Sequence, residues 1–392
     1  MDLHLRLSVS TLLFALALGC SSTEKKGAAG NGAGPAEAGT VAPADQAMLT
    51  APGSYHVATR DFTFVDSSRP TPANGTYAGA PDRTLVTKVW FPSPDGTAVA
   101  TGPFPVIAYA HGFLSSKLEA DALKNHLASH GYVIVAPDFP LSNSGAPGGP
   151  TLVDLAHQPG DLAFVVDALS KVTGNDADLA AAMDTSTQGV AGLSLGGGTT
   201  LIAVYHPVLN LPKIRAAVAY APFSCAFAQG MFVHAVPTLI LGGSADELVP
   251  FDGIATREQA WAPPPLQVAK LVGGTHVGFT NIEIPDAGNS DQIGCGAVTA
   301  ALGGSSTSVP YAQTLADDLN AGTNGGVAAN DCGTVCGQTF TQTMHADRQL
   351  ELQKAATLAH FEAVLRGKKD AAAYLATSFD EGNDDVEVTR AR

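Results

Sequence analysis

The chain has 392 residues, 45% of them hydrophobic and only 15% charged, so it can bury a large core and is neither disordered throughout nor a disulfide-stapled miniature. Lysine and arginine number 21 against 36 aspartates and glutamates; the resulting formal charge of −15 repels phosphate backbones and argues against nucleic acid as a partner. The 42 glycines and 25 prolines follow no G-X-Y register, which excludes a collagen.

Residues 1–19 read as a signal peptide. Arg6 precedes an apolar run ending in Leu12-Leu13-Phe14-Ala15-Leu16-Ala17-Leu18. That run is shorter than the ~20 apolar residues a bilayer span needs. Gly19-Cys20-Ser21-Ser22 then resembles a bacterial lipoprotein processing site, at which the Cys20 thiol is acylated and becomes a membrane anchor. Such sites usually carry Leu and a small residue where this chain has Ala17 and Leu18, and Ala15-Leu16-Ala17 offers an ordinary signal-peptidase site instead. Either route exports the protein, as a periplasmic or surface lipoprotein or in free secreted form. Residues 20–54 are rich in Gly, Ala, Pro, Ser and Thr and hold little that could offset the cost of ordering a backbone. They read as a flexible tether with a root-mean-square reach of ~30–35 Å.

If Cys20 is acylated or removed, Cys225, Cys295, Cys332 and Cys336 remain, an even set suited to two disulfides in an oxidising compartment. Four cysteines allow three pairings, and spacing does not choose among them. Cys332-x3-Cys336 has a zinc site as its rival reading, but no nearby His–Cys cluster supplies the other ligands.

From about residue 55 strand-like and helix-like segments alternate. Residues 55–64 and 83–91 partly alternate apolar and polar, as half-exposed edge strands do. The runs at 105–110, 132–136, 190–193, 216–221 and 237–241 are continuously apolar, the pattern of parallel strands covered on both faces. Between them, Leu118, Leu123 and Leu127 mark one helix stopping at Gly131, and Leu162, Val165, Val166 and Leu169 mark another behind Pro159-Gly160-Asp161. Leu358, Phe361 and Leu365 mark a last helix, ending at Gly367. This order specifies an α/β domain over 55–378 with a mostly parallel sheet and helices on both faces. Residues 283–345, rich in Gly, Ser, Thr, Asn and Asp, read as a cysteine-bearing insertion before the last helix, with only Tyr311 to Leu319 helical in pattern. Residues 379–392, opening with Phe379-Asp380-Glu381-Gly382-Asn383-Asp384-Asp385, read as an acidic solvated tail.

The chemistry concentrates at Gly192-Leu193-Ser194-Leu195-Gly196. An apolar strand precedes Ser194 and a plausible helix follows it, so the serine sits on a sharp strand-to-helix turn with its hydroxyl beyond the sheet, beside a helix N-terminus. A serine hydroxyl needs a base to become a nucleophile, and the base needs an orienting carboxylate. In this type of fold the chain order is Ser, acid, His. The buried strand from Pro237 runs into a loop carrying Asp246, with Glu247 and Asp252 as rivals in the same loop. The next strand ends at Gly273-Gly274-Thr275-His276, which makes His276 the base; His345 and His360 fall on the terminal helix pattern. The oxyanion needs donors, for which the backbone N–H of Leu195 and of Phe113, in the loop after strand 105–110, are assigned. His111 and Asp138 precede Ser194 and are read as structural.

Together Ala110-His111-Gly112-Phe113, the Ser194 pentapeptide, Pro237 to Pro250 and Gly273 to His276 resemble an α/β-hydrolase over roughly 55–283 plus the helix 346–367. Within that superfamily the chain is similar to the group of dienelactone-hydrolase-like proteins, platelet-activating-factor acetylhydrolases and cutinase-like polyester hydrolases. The serine argues against dienelactone hydrolase activity proper, which uses a cysteine. The resemblance implies that Phe223, in Ala221-Pro222-Phe223, flanks the substrate as an acyl-binding wall. The insertion departs from the group's pattern, in a position to cover or widen the cleft. The expectation is an exported serine esterase for small-molecule or polymeric esters, needing no metal or organic cofactor. A non-catalytic binding lipoprotein on the same scaffold and a serine peptidase are the alternatives.

Overall fold

A computed structural model describes residues 41–280, 291–301, 315, 317, 319–320 and 335–391. The signal peptide, Cys20, most of the tether and Cys332 lie outside the described residues.

Nine strands form one sheet: β1 (His56–Asp66), β2 (Arg83–Ser93), β3 (Phe104–Ala110), β4 (Val133–Pro137), β5 (Met183–Leu193), β6 (Ile214–Tyr220), β7 (Thr238–Gly243), β8 (Leu266–Leu271) and β9 (Val386–Ala391). Their spatial order is β1-β2-β4-β3-β5-β6-β7-β8-β9. The pairs from β4 through β8 are parallel, and β1 with β2, β2 with β4 and β8 with β9 are antiparallel. The apolar runs behave as central strands should. Val106, Ala108 and Ala110 of β3 enter the core on one face of the sheet, and Ile107 and Tyr109 enter the core on the other.

The helices include α1 (Gln46–Thr50), α2 (Asp121–Ser129), α3 (Gln158–Leu169), α4 (Ala177–Ala182), α5 (Leu195–Tyr205), α6 (Phe251–Trp261), α7 (Asp291–Ala301) and α8 (Ala346–Leu365). Leu162 and Val165 of α3 and Leu201 of α5 pack on one face; Leu123 and Leu127 of α2 and Leu352 and Phe361 of α8 pack on the opposite face. This is the α/β-hydrolase architecture, with the strand-to-helix loops gathered at the C-terminal edge of the parallel strands, where such sheets place their sites.

Two expectations are corrected. The chain after 379 is not a solvated tail: its last residues form β9, with Val388 set against the core, Glu387 paired to Lys270 at 2.5 Å and Arg390 to Asp380 at 2.7 Å. Apolar Val386 and Val388 alternate with polar neighbours as a strand requires, and pairing with β8 outweighs the acidic lead-in. The insertion also contains a helix, α7, that its glycines conceal. Its Cys295 is disulfide-bonded to Cys336, and Cys225 is disulfide-bonded as well. Leu315 and Leu319, inside the segment expected to be helical, are helical and fully buried.

Candidate active site

Ser194 stands between β5 and α5 with φ 58° and ψ −117°, a left-handed backbone that a side chain rarely adopts. Three backbone hydrogen bonds hold it there: its N–H donates to Tyr220 O at 2.9 Å, and its carbonyl accepts from Gly198 at 3.0 Å and Phe223 at 2.8 Å. The flanking glycines serve close approach. A Cβ on Gly196 would overlap the Ala110 carbonyl, and one on Gly192 would overlap Gly196. The pentapeptide is therefore a requirement of the turn itself.

The loops after β7 and β8 bring the acid and the base together. His276 Nδ1 lies 2.8 Å from Asp246 Oδ2, with both side chains buried. Asp246 Oδ1 accepts the amides of Leu248 at 2.9 Å and Val249 at 2.7 Å, which fixes the carboxylate plane. Burial disfavours the His276 imidazolium, but the Asp246 charge and hydrogen bond, with Asp291 and Glu119 behind them, outweigh it and raise the ring's pKa above its ordinary value. The rival acids are occupied elsewhere or exposed. Glu247 Oε1 accepts the Phe340 amide at 3.0 Å, and Asp252 is exposed at the start of α6. Of the other histidines, His345 caps α8 and His360 is buried against Pro237 O.

The amide of Leu195 opens α5 and is one of the donors that no helical carbonyl takes up. Phe113 follows Gly112, where a Cβ would lie 3.3 Å from Ser194 Cβ, so the loop after β3 passes directly beside the serine. Sequence reasoning missed what holds that loop. Buried Glu119 accepts the Gly112 amide with both carboxylate oxygens at 3.1 Å and the Tyr109 hydroxyl at 3.2 Å. His111 is structural in its contacts: Nδ1 lies 2.7 Å from Gly112 O, and Nε2 accepts the Phe139 amide at 3.1 Å. Burial lowers its pKa to about 4, so the ring is neutral at working pH. Asp138 binds the Lys117 amide and ammonium, each at 2.6 Å.

Ser194 opens onto a cavity of about 40 Å³ lined by Phe113, Leu152, Leu195, Phe223, Leu248, Val249, Val298 and Val335. Phe223, expected to flank the substrate, lines this cavity together with Ser194. The loop that orients His276 supplies Leu248 and Val249 to the same cavity, and the insertion supplies Val298 and Val335. Hollows of about 260 and 420 Å³ at the opposite end of β5 and β6, against Leu211 and Ile214, touch none of Ser194, Asp246 and His276.

Asp291, the first residue of α7, was also missed. It is fully buried and accepts the amides of Glu247, His276 and Val277. Nothing in a Gly- and Asp-rich stretch marks one carboxylate as buried; only the folded insertion does.

Residues 86–257 match the PETase family model, described as PET hydrolase-like. This fits the α/β-hydrolase architecture and supports a hydrolase acting on ester bonds. The PETase match covers Phe113, Ser194, Leu195, Phe223 and Asp246 and ends before His276, whose pairing with Asp246 rests on the geometry alone. No curated protein matches the chain.

Proposed function

We propose that this protein is an exported serine carboxylic-ester hydrolase with Ser194 as nucleophile, His276 as general base and acid, and Asp246 as the orienting carboxylate. Ser194 Oγ bonds to the ester carbonyl carbon while its proton passes to His276 Nε2, and the carbonyl oxygen becomes an anion facing the Phe113 and Leu195 amides. The C–O bond then breaks, and the alcohol leaves with the proton from His276. Water repeats the sequence on the acyl-enzyme, releasing the acid and restoring Ser194. Asp246 holds the Nδ1–H tautomer, leaving Nε2 free to accept.

The observation that carries this reading is the 2.8 Å contact between Asp246 and His276 on the loop whose next residues line the Ser194 cavity. Ser194 apart, the lining is apolar, which suits the acyl or aromatic part of a small ester or of a polyester chain end, with Phe223 as one wall. A fluorophosphonate probe tests it: wild type should label and Ser194→Ala should not, while an unlabelled wild type would sink the reading. Matched ester and amide substrates check the bond class, with amide turnover expected to be negligible. Export through residues 1–19 with lipid anchoring at Cys20 belongs to the same proposal. A disulfide between Cys295 and Cys336 suits an oxidising compartment. Membrane fractionation of wild type against Cys20→Ala checks the anchor, and equal solubility of the two would remove it.

A further inference from the structure

We propose that Asp291 is a positioning residue for the acid–base pair, tying the loop that carries Asp246 to the loop that carries His276 through one buried carboxylate. This rests on the esterase reading above. Asp291 Oδ2 accepts the amide of Glu247 at 3.0 Å and that of His276 at 2.9 Å, and Oδ1 accepts the amide of Val277 at 2.7 Å. Glu247 directly follows Asp246, and Val277 directly follows His276, so all three donors are the catalytic pair's own backbone or its immediate neighbours. The two loops are joined at their roots by Ala245 N–H to Gly274 O at 2.9 Å. Beyond that point the two loops meet at the Asp246–His276 contact itself, and Asp291 ties together the backbone on either side of it. Charge-assisted bonds to backbone amides are short and stiff, and misplacing a base by a fraction of an ångström is enough to slow proton transfer.

The insertion is built to deliver this group. Asp291, Gly294, Cys295 and Val298 fall at i, i+3, i+4 and i+7, one face of α7. On that face Gly294 abuts Val277 and Leu248, Cys295 is disulfide-bonded to Cys336, and Val298 reaches the cavity. The far side of the disulfide grips the same acid loop: the Cys336 amide donates to Glu247 O at 2.7 Å and the Phe340 amide to Glu247 Oε1 at 3.0 Å. The Asp246 loop is therefore held from both ends of the bridge, and the insertion is part of the catalytic frame.

The charge on Asp291 has a second effect. Three carboxylates act on the His276 ring: Asp246 from the loop after β7, Asp291 from α7 and Glu119 from below the loop after β3. The fourth packed element, α8, presents neutral Gln349, bonded to Thr275. Each anion favours the imidazolium, so removing Asp291 should let the ring lose its proton at lower pH.

The test uses Asp291→Asn, nearly the same size and uncharged, in the full chain, with fluorophosphonate labelling rate and p-nitrophenyl acetate hydrolysis measured across pH. We expect kcat to fall by about 10²-fold with KM little changed, and the acid limb of kcat/KM to move to lower pH. Asp291→Glu, which keeps the charge, should restore the position of the limb. A merely structural residue would lower the active fraction, seen by titrating labelled sites, and leave the limb in place; that result overturns the inference, as does a folded Asn variant with wild-type kcat and limb. Should the Asn variant fail to fold, Asp291→Ser, smaller and still an acceptor, takes the same two readouts. Failure of wild type to label would overturn the esterase reading and this inference with it, whereas normal labelling with an unshifted Asn variant would overturn this inference alone.

Discussion

Asp246 divides its carboxylate between two tasks, with Oδ2 at 2.8 Å from His276 Nδ1 and Oδ1 on the amides of Leu248 and Val249. Asp246→Asn can keep the second task while spoiling the first, because an amide NH₂ facing Nδ1 favours the wrong imidazole tautomer. The variant should stay folded and lose about 10³–10⁴-fold in kcat. Steady-state kinetics alongside a thermal melt check this, and a loss under tenfold with an unchanged melt would remove Asp246 from the orienting role.

The raised pKa of His276 fixes the direction of the pH dependence. As the proposed base, His276 must be neutral to take the Ser194 proton, so activity should fall as pH drops through the ring's folded pKa. Asp246, with Asp291 and Glu119, holds that pKa above the ordinary histidine value of 6.5. The acid limb of kcat/KM should therefore lie above pH 6.5 and move down in Asp246→Asn. A limb at or below 6.5 in wild type would show that burial, which opposes the charge, dominates instead.

What the sequence displays and conceals follows from how local each signal is. Ser194 is legible because the turn dictates its flanking glycines, and Asp246 and His276 because each follows an apolar strand at the right place in the chain order. The apolar runs within β3 to β7 are legible because strand segments covered on both faces must be apolar. β9 pairs its Val386–Ala391 with a strand over 100 residues earlier, and its acidic approach reads as solvent-loving. Asp291 and Glu119 are ordinary acids in the sequence; only the fold sets the amides of Glu247, His276 and Val277 against the one and that of Gly112 against the other. α7 carries Gly294 and Gly296, which lower helix propensity, and its Cys295 bridge and packing on Val277 hold it in place.

The cavity walls contributed by the insertion predict a change in substrate preference. Val298 lies one helical turn from Cys295, and Val335 is adjacent to Cys336, so the disulfide anchors the backbone beside both side chains, which share the cavity lining with Phe223 and Leu248. Both valines narrow this cavity, so acetate should react faster than hexanoate in wild type. Val298→Ala and Val335→Ala each remove two methyl-sized groups and should raise kcat/KM for hexanoate over acetate p-nitrophenyl esters by roughly tenfold or more. An unchanged acyl-length profile in both variants would mean that the acyl chain lies elsewhere.

Glu258 is the sharpest stability test. It is fully buried in α6, with both carboxylate oxygens shut off from solvent. Burial raises its pKa from 4.5 to about 7, an effect that Ser224 and Arg257 only partly offset. The folded state therefore favours the neutral acid. The stability this contributes is complete below the unfolded pKa of 4.5 and is lost as pH rises through about 7. Glu258→Gln has nearly the same shape and cannot ionise. It should match wild type near pH 4.5 and exceed it at pH 8 by about 3 kcal/mol. Urea denaturation of both proteins at the two pH values reads the difference directly, and equal stability at pH 8 would mean that the ionised carboxylate is solvated in the native protein.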